Sequence, residues 1–313
     1  MLIVVALGGN ALLQRGQPQE KENLIKNVEV AVKAIASLTT NHTVVLCHGN
    51  GPQVGLLALQ ADAYKEVKSY SLDILCAESQ GMIGYLLQRG LYNELKNKLV
   101  TTVLTQVIVD ADDIAFKKPT KPIGQVYTKE QADEYKKEKN WLFALDNDSF
   151  RRVVPSPKPL EIIELPLIRL LSESGALVIC AGGGGISVAR DNKGSLVGIE
   201  SIIDKDLTAA KMAEGLNADA LVILTDVDGV YKEWGKPNSA LIRSITIREL
   251  EQMSFAAGSM APKIEAACNF IKATNKRVMI GSLRDAPKLL SGEKGTTIWG
   301  SKQSNGIRLE QKV

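Results

Sequence analysis

Glycine-rich segments follow three of the apolar runs in this 313-residue sequence: GGN at 8–10, GNG at 49–51 and GGGG at 182–185. In an open parallel sheet, loops at the carboxyl ends of the strands meet in one crevice, and glycine lets backbone N–H groups approach an anion without a Cβ in the way. Each segment alone could be an ordinary tight turn. Together they predict a phosphate or carboxylate cleft lined by Gly8, Gly9, Asn10, Gly49, Asn50, Gly51, Gly183 and Gly184.

The common nucleotide-binding fingerprints are missing. GNGPQVG at 49–55 has its last glycine one position too late for a dinucleotide-binding loop, and no G-x-x-x-x-G-K-[ST] segment occurs. These absences disfavour a P-loop NTPase and an ordinary dehydrogenase. Other groups must therefore hold any phosphates.

Three lysines occupy positions that suit an anion site. Lys205 lies in IIDKDL at a predicted helix start, Lys263 lies in the first turns of a helix predicted from about 258, and Lys121 lies in a polar insertion. A helix amino terminus carries partial positive charge, so a lysine beside it favours phosphate. By residue type alone, a solvated surface charge is the favoured interpretation of each lysine, and Asp206 could be a helix cap.

Composition excludes several other classes of function. The formal net charge is 38 − 35 = +3, with both signs interspersed, so no nucleic-acid partner is expected. The apolar opening MLIVVALGG is too short to cross a bilayer, which predicts a buried first strand and no membrane partner.

Cysteine and histidine usage limits the chemistry further. Four cysteines lie far apart without a CxxC pair, which fits neither a zinc site nor a small disulfide scaffold and predicts a cytoplasmic protein. Only His42 and His48 could serve as a histidine base, and no protein metal site is expected.

Apolar runs alternate with helical patterns along most of the chain, which is typical of β-α-β units. We predict an α/β fold, a three-layer αβα sandwich around an open, mainly parallel sheet of about eight strands. Predicted strands include 2–7, 43–47, 100–109, 176–181, 220–225 and 277–281. Predicted helices include 24–38, two helical stretches between 52 and about 97, and 161–173, 205–216 and 258–274.

Residues 112–150 interrupt this rhythm. They are polar, contain Xaa-Pro steps and include a charged helical stretch without a wide apolar face. We predict a small protruding subdomain or lid here. No clean linker divides the rest, so 1–313 is expected to form one domain.

Several motifs in sequence order resemble the carbamate kinase family of the amino acid kinase superfamily. They are ALGGNAL, HGNGPQVG, ESQGMIGY, KKPTKPIG, RRVVPSPKP, ICAGGGGI, IDKDL, ILTDVDGVY and GSMAPK, and the likeness runs from Val5 to about Thr297. The combination is far more specific than any one motif.

The resemblance implies a homodimeric enzyme that transfers a phosphoryl group between ATP and carbamate. It implies Mg²⁺ held mainly by the nucleotide phosphates, and commonly a net reaction of carbamoyl phosphate with ADP to make ATP. It also implies a substrate-binding lobe at 1–155, which includes the subdomain 112–150, and a nucleotide-binding lobe at 156–313.

The resemblance also assigns roles to individual residues. Lys205 and Lys263 would contact the transferring phosphoryl group and the nucleotide phosphates, Lys121 would reach the substrate, and Asp206 would orient the lysines. The implied nucleotide-binding residues are Thr225, Asp226, Tyr231, Ser259, Met260 and Lys263.

One position bears on the choice of substrate. Many relatives in the superfamily carry a lysine where this chain has Ala6, and Lys121 could supply that missing charge. Carbamate attacks through an oxygen that is already anionic, so it needs no general base, which suits a chain with two histidines. The alternatives are a kinase of another small carboxylate or phosphonate, and a nucleotide-binding regulatory protein without turnover.

Overall fold

The computed structural model describes residues 1–14, 16–146, 148–253, 255, 260–300 and 308–311. Within them the strands are β1 (Leu2–Leu7), β2 (Thr43–His48), β3 (Val100–Thr102), β4 (Gln106–Ile108), β5 (Lys121–Tyr127), β6 (Leu142–Asp146), β7 (Ser149–Val154), β8 (Glu161–Ile162), β9 (Leu177–Ile179), β10 (Ile186–Arg190), β11 (Leu196–Gly198), β12 (Ala220–Thr225), β13 (Tyr231–Lys232), β14 (Ala240–Thr246), β15 (Arg277–Ser282), β16 (Thr296–Trp299) and β17 (Arg308–Gln311). The α-helices are α1 (Lys21–Leu38), α2 (Gly51–Ala63), α3 (Leu72–Leu95), α4 (Lys129–Lys139), α5 (Leu165–Glu173), α6 (Lys205–Gly215), α7 (Ile247–Leu250), α8 (Met260–Thr274) and α9 (Ala286–Leu290).

The central sheet has ten strands in the order β13-β14-β16-β15-β12-β1-β2-β9-β3, with β17 alongside β14. Its middle is parallel, since β1 pairs in parallel with both β2 and β12, and antiparallel pairs occur only toward the β13–β17 edge among the described strands. The mainly parallel sheet is as predicted, and the strands beyond the expected eight or so are short ones at that edge.

Alternation along β1 divides the protein into layers. Ile3, Val5 and Leu7 belong to one core with buried residues of α1, α3 and α9, whereas Val4 and Ala6 belong to a second core with buried residues of α5, α6 and α8. Successive residues of a strand point to opposite faces of the sheet, and all five side chains are fully buried. Helices therefore cover both faces of the sheet, which confirms the three-layer αβα fold.

The single strand predicted at 100–109 is wrong. The chain forms β3 in the central sheet and β4 in a separate four-stranded sheet, β11-β10-β4-β8. Between them Gln80 of α3 accepts a hydrogen bond from the Thr105 N–H at 2.9 Å and donates one to the Thr105 carbonyl at 3.2 Å. This buried side chain satisfies the backbone where the chain leaves one sheet for the other.

Residues 121–154 form a small subdomain beside the main body. Its antiparallel sheet has the order β5-β7-β6, and α4 packs on it. Tyr127 makes edge-to-face contacts with Tyr135 of α4 and Phe143 of β6, with ring centroids 5.6 and 5.3 Å apart. This aromatic cluster gives the subdomain a core of its own, although α4 buries only Ala132.

The longest described helix, α3, carries charged residues along its length, including Asp73, Glu78 and Arg89. None of the described helices combines the length and apolar composition that crossing a membrane requires.

Candidate active site

The first two glycine loops meet directly at the carboxyl ends of β1 and β2. A methyl group added at Gly49 would lie 2.9 Å from the Gly9 nitrogen and 3.4 Å from Cδ of Lys205. A methyl group at Gly51 would lie 3.9 Å from the carbonyl oxygen of Pro122, next to Lys121. Loops from the sheet, the start of α6 and the first residues of the subdomain therefore border one cleft.

Some amides of these loops already have acceptors within the sheet. The Gly8 N–H donates to the Leu224 carbonyl and the Gly49 N–H donates to the Leu7 carbonyl, both at 3.0 Å. Asn50 makes no side-chain capping bond to α2 among the described residues. The start of α2 therefore offers uncapped backbone donors to an anion, whereas Gly8 and Gly49 chiefly permit the close approach of the loops.

Asp204 caps α6 and binds Lys121. Its Oδ1 accepts hydrogen bonds from the backbone N–H groups of Asp206 and Leu207, and its Oδ2 lies 2.5 Å from Lys121 Nζ. Burial acts to raise the pKa of Asp204, but the ammonium groups of Lys121 and Lys205 outweigh it and hold the pKa well below its usual range. The sequence offered Asp206 as a helix cap, and the structure assigns that role to Asp204.

Asp206 lies between two lysines. Its Oδ1 is 2.5 Å from Lys205 Nζ and its Oδ2 is 3.1 Å from Lys263 Nζ. Asp206, Lys205 and Lys263 are 2%, 8% and 7% exposed. Burial lowers the pKa of Lys205, and the neighbouring Lys263 ammonium lowers it further, while Asp206 and Asp204 oppose both effects. The two ammonium groups stay close together because one carboxylate lies between them.

The cluster defined by Lys121, Asp204, Lys205, Asp206 and Lys263 has an excess of one positive charge, since three ammonium groups face two carboxylates. This excess positive charge can bind an anion by electrostatic attraction and hydrogen bonds, and no proton needs to move between the cluster and the anion. A phosphoryl group with charge spread over three oxygens suits several ammonium groups and backbone donors at once.

The Asn50 side chain and the third glycine loop are buried together. The Asn50 amide donates to Ser79 Oγ at 2.8 Å, and any Cβ on Gly183 would overlap that amide. Gly184 has φ +90° and accepts a hydrogen bond from Thr208 Oγ1 of α6 through its carbonyl at 2.7 Å. These contacts hold α6 against the loop, and direct contact of Asn50, Gly183 or Gly184 with a substrate stays a prediction.

A second group of predicted residues lies where β12 ends. Asp226 accepts hydrogen bonds from Asn10 Nδ2 at 2.9 Å and from Thr225 Oγ1 at 3.0 Å. Burial acts to raise the pKa of Asp226, but these hydrogen bonds and the Lys263 ammonium lower it. The carboxylate therefore joins the first glycine loop to the end of β12.

The other residues predicted to bind nucleotide lie nearby in the chain. Tyr231 is largely buried, donates to Asp228 Oδ2 at 3.3 Å and packs edge-to-face with Trp234, with ring centroids 4.8 Å apart. Met260 begins α8, one turn before Lys263. Ser259 lies outside the described residues.

His48 borders the cleft but is poorly suited to act as a base. It is 1% exposed, and its Nδ1 lies 3.0 Å from the Gly49 carbonyl. Burial lowers its pKa to about 4. The ring is therefore neutral and weakly basic at neutral pH.

The residues that sequence reasoning missed are mainly partners of the predicted ones. Asp204 lies in the IDKDL motif, and its local signal is that of a helix cap, since an aspartate just before a helix is a recognised capping residue. Ser79, Gln80 and Thr208 carried no such signal because each acts through a contact with a distant segment.

The chain is similar to known proteins over most of its length. Residues 1–282 match the family model described as the amino acid kinase family. The chain is 51% identical over 308 residues to the carbamate kinase of Haemophilus influenzae, covering 98% of this chain and 99% of that protein. Two structures of the Giardia lamblia carbamate kinase, bound to citric acid and to AMP-PNP, superpose with TM-scores of 0.90 and 0.86; in each, identity is 40% and coverage is 96% of this chain and 98% of the other.

Replacement of Asp206 by asparagine should destabilise the protein. Asp206→Asn leaves two buried ammonium groups facing a neutral amide, so the free energy of unfolding should fall by about 3 kcal/mol in denaturant titrations. Asp133→Asn is the matched control, because Asp133 pairs with Lys136 at an exposed position on α4 and should change stability by less than about 0.5 kcal/mol. Equal effects of the two substitutions would contradict the role given to Asp206.

Proposed function

Because the chain belongs to the amino acid kinase family, we propose that it catalyses reversible phosphoryl transfer between ATP and carbamate, giving ADP and carbamoyl phosphate. We also propose that the net reaction in the cell runs toward ATP, as the family resemblance implies. The observation that carries this proposal is the contact of one carboxylate, Asp206, with both Lys205 and Lys263 where the glycine loops meet. The near full-length likeness to carbamate kinases supports carbamate as the acceptor.

The chemistry needs positioning and charge neutralisation more than proton transfer. Carbamate attacks through an anionic oxygen, so the weak basicity of His48 is no obstacle. In the transition state charge spreads over the phosphoryl oxygens, and an ammonium group at ~4 Å in a medium of effective dielectric near 20 contributes ~4 kcal/mol before desolvation. Lys205 and Lys263 are proposed to supply this charge, and Asp206 to orient them.

The substrate side of the cleft is assigned to residues 1–155. The uncapped start of α2 supports an anion site there, formed by Asn50 and Gly51, with Gly49 allowing the loops to approach closely. The first loop would complete it through Gly9 and Asn10, with Gly8 holding the loop against β12. Lys121 would reach the bound carbamoyl group from the subdomain once the anion competes with Asp204 for its ammonium group. Gly183 and Gly184 would act mainly by holding α6 in place.

The nucleotide side is assigned to residues 156–313. Thr225 ends the central strand β12 and Asp226 follows it. Lys263 lowers the pKa of Asp226, so this carboxylate lies within electrostatic reach of the proposed phosphate site. Tyr231 and Met260 are proposed to contact the base or ribose, with Ser259 alongside. The hydrogen bond from Asn10 to Asp226 would link the two sides.

Magnesium fits this site as a partner of the nucleotide. Among the described residues, no group of three His, Cys, Asp or Glu side chains could hold a metal ion, and the carboxylates of Asp204 and Asp206 already bind lysines. This donor set suits Mg²⁺ that is held by nucleotide phosphates and water. Bound in this way, Mg²⁺ neutralises charge on the phosphates.

A cytoplasmic location is proposed on the basis of the cysteines. Cys47, Cys76, Cys180 and Cys268 are buried free thiols. Such thiols persist where the cell keeps cysteines reduced. Recovery of the protein outside the cytosolic fraction of fractionated cells would contradict this location.

Loss of the Lys205 charge should abolish most of the activity without unfolding the protein. With ADP, Mg²⁺ and carbamoyl phosphate, Lys205→Met should form ATP ~10² to 10³ times more slowly than the wild type, by analogy with loss of a preorganised donor. Lys211→Met in the same helix, at a more exposed position, is the matched control and should keep full activity. A wild type that forms no ATP, or an active Lys205→Met variant, would overturn the proposal.

Lys121 should matter for transfer but not for nucleotide binding. Lys121→Met should leave the calorimetric Kd for ADP within about twofold of the wild type, while ATP formation from carbamoyl phosphate falls by ~10², because its charge is proposed to act on the substrate. Lys118→Met, which alters an exposed lysine just before β5, should change neither quantity. Parallel loss of ADP binding would contradict the division into two sides.

A homodimer is proposed through the outer face of α3. Met82, Tyr85 and Tyr92 are exposed at helical spacing, and Tyr85 and Tyr92 line one groove with Thr102 of β3 and Leu104. The strand β3 is the edge of the central sheet at this end. A twofold axis places the same patch on both chains, and tyrosines are enriched at such interfaces. The second copy would cover both the aromatic stripe and the sheet edge.

Light scattering tests this assembly. The wild type should have twice the 33.9 kDa mass of the chain, and Tyr92→Asp should shift the population toward the single chain because it buries a charge in the interface. Tyr64→Asp is the matched control, since Tyr64 is similarly exposed but lies just after α2. A monomeric wild type, or an unchanged mass for Tyr92→Asp, would rule out this interface.

A further inference from the structure

The subdomain packs on the main body chiefly through the contact of β5 with one helix, α2. Gly55 of α2 and Gly124 of β5 are in backbone contact, so tight that a Cβ on Gly55 would overlap Gly124. Beside this contact Ile123 is fully buried in a core with Val54 and Ala58 of α2. The same helix begins at Gly51 in the candidate active site. Its first half therefore supports both the anion site and the base of the subdomain.

A charged contact lies at the other end of α2. Lys139, the last residue of α4, forms an ion pair with Asp62, the penultimate residue of α2. The side chains of Lys139 and Asp62 are 14% and 25% exposed, so the pair is largely removed from water. Among the ion pairs of the described residues, it is the one that joins α4 to α2.

The surroundings of Lys139 fix its direction. Its ammonium group lies 4.8 Å from the ring centroid of Tyr135 and 5.2 Å from that of Trp141. Arg152 covers the same Trp141 ring at 3.8 Å. Cation–π contacts with the two rings limit the rotamers open to Lys139, so less conformational entropy is lost when it pairs with Asp62.

We propose that the ion pair between Asp62 and Lys139 is a latch that holds the subdomain against α2 and thereby keeps Lys121 in the active site. Asp62 and Lys139 are positioning residues, and the inference rests on the proposed role of Lys121. The subdomain is supported at both ends of α2, by the glycine contact near the active site and by the latch far from it. Release of the latch leaves the glycine contact as the point about which the subdomain tilts.

Asp62 also has a second partner, which makes the latch reversible. Lys65, a side chain 72% exposed, lies 3.2 Å from the same Oδ2 atom. When Lys139 withdraws, the carboxylate keeps a cation beside it and does not become an unpaired charge. The cost of opening is therefore small enough for substrate to enter and product to leave.

The first test is Asp62→Asn. In steady-state assays with carbamoyl phosphate, kcat for ATP formation should fall roughly tenfold while the Kd for ADP stays unchanged, because the closed population decreases. Exchanging the charges, Asp62→Lys with Lys139→Asp, should restore kcat to within about threefold of the wild type. Asp133→Asn, which removes the exposed pair on α4, should have no effect. Failure of the charge exchange to rescue Asp62→Asn would overturn the latch.

A double-mutant cycle separates the latch from a general effect on stability. In the Lys121→Met background, Asp62→Asn should lower kcat no further, because the latch acts through Lys121. An equal fall in both backgrounds would overturn the proposal.

Hydrogen exchange tests the latch independently of the reaction. Backbone amides of residues 121–154 should exchange several times faster in Asp62→Asn than in the wild type, while those of β1 and β12 stay unchanged. An unchanged exchange pattern would refute the latch even if the enzyme makes ATP. If exchange is faster in Asp62→Asn but the wild type makes no ATP, the proposed function is refuted, while the ion pair still holds the subdomain against α2.

Discussion

The contact of Asp206 with two lysines is the interaction on which the site depends. Lys205 and Lys263 come from the starts of different helices, and two buried ammonium groups repel each other unless a carboxylate lies between them. This arrangement requires α6 and α8 to lie side by side. Small buried residues of both helices, among them Ala209, Ala213 and Ala266, belong to the same core and allow a close approach.

Glycines serve two different purposes at this site. Gly49 lies so close to Gly9 and Lys205 that a side chain would separate the loops, and it therefore preserves the cleft. Gly183 and Gly184 instead have positive φ and serve packing: Gly183 fits against Asn50, and Gly184 fits against Ile203 and accepts a hydrogen bond from Thr208 of α6. The shared composition of these loops concealed this difference.

Much of the fold could be predicted because the relevant signals are local. The run Leu2–Leu7 is apolar at every position, as expected for a strand covered on both faces, and the helical spacing of Val28, Ala31 and Ile35 marks the buried stripe of α1. The break near Thr105 could not be predicted, since it depends on Gln80 of a preceding helix. Lys121 was found through its motif, but its partner Asp204 lies 83 residues away and shares no local pattern with it.

The two strands that pair with β1 set the order in which the central sheet can form as the chain is synthesised. Its first partner, β2, follows within about forty residues, but Ile3 also pairs with Ala220, and the hydrogen bond from Asn10 to Asp226 spans 216 positions. During synthesis one edge of β1 stays unpaired until β12 has been made, at about 70% of the chain. The active site is consequently completed late. A nascent fragment that ends before β12 exposes the unpaired edge of β1 and lacks the site residues that follow β12 in the chain.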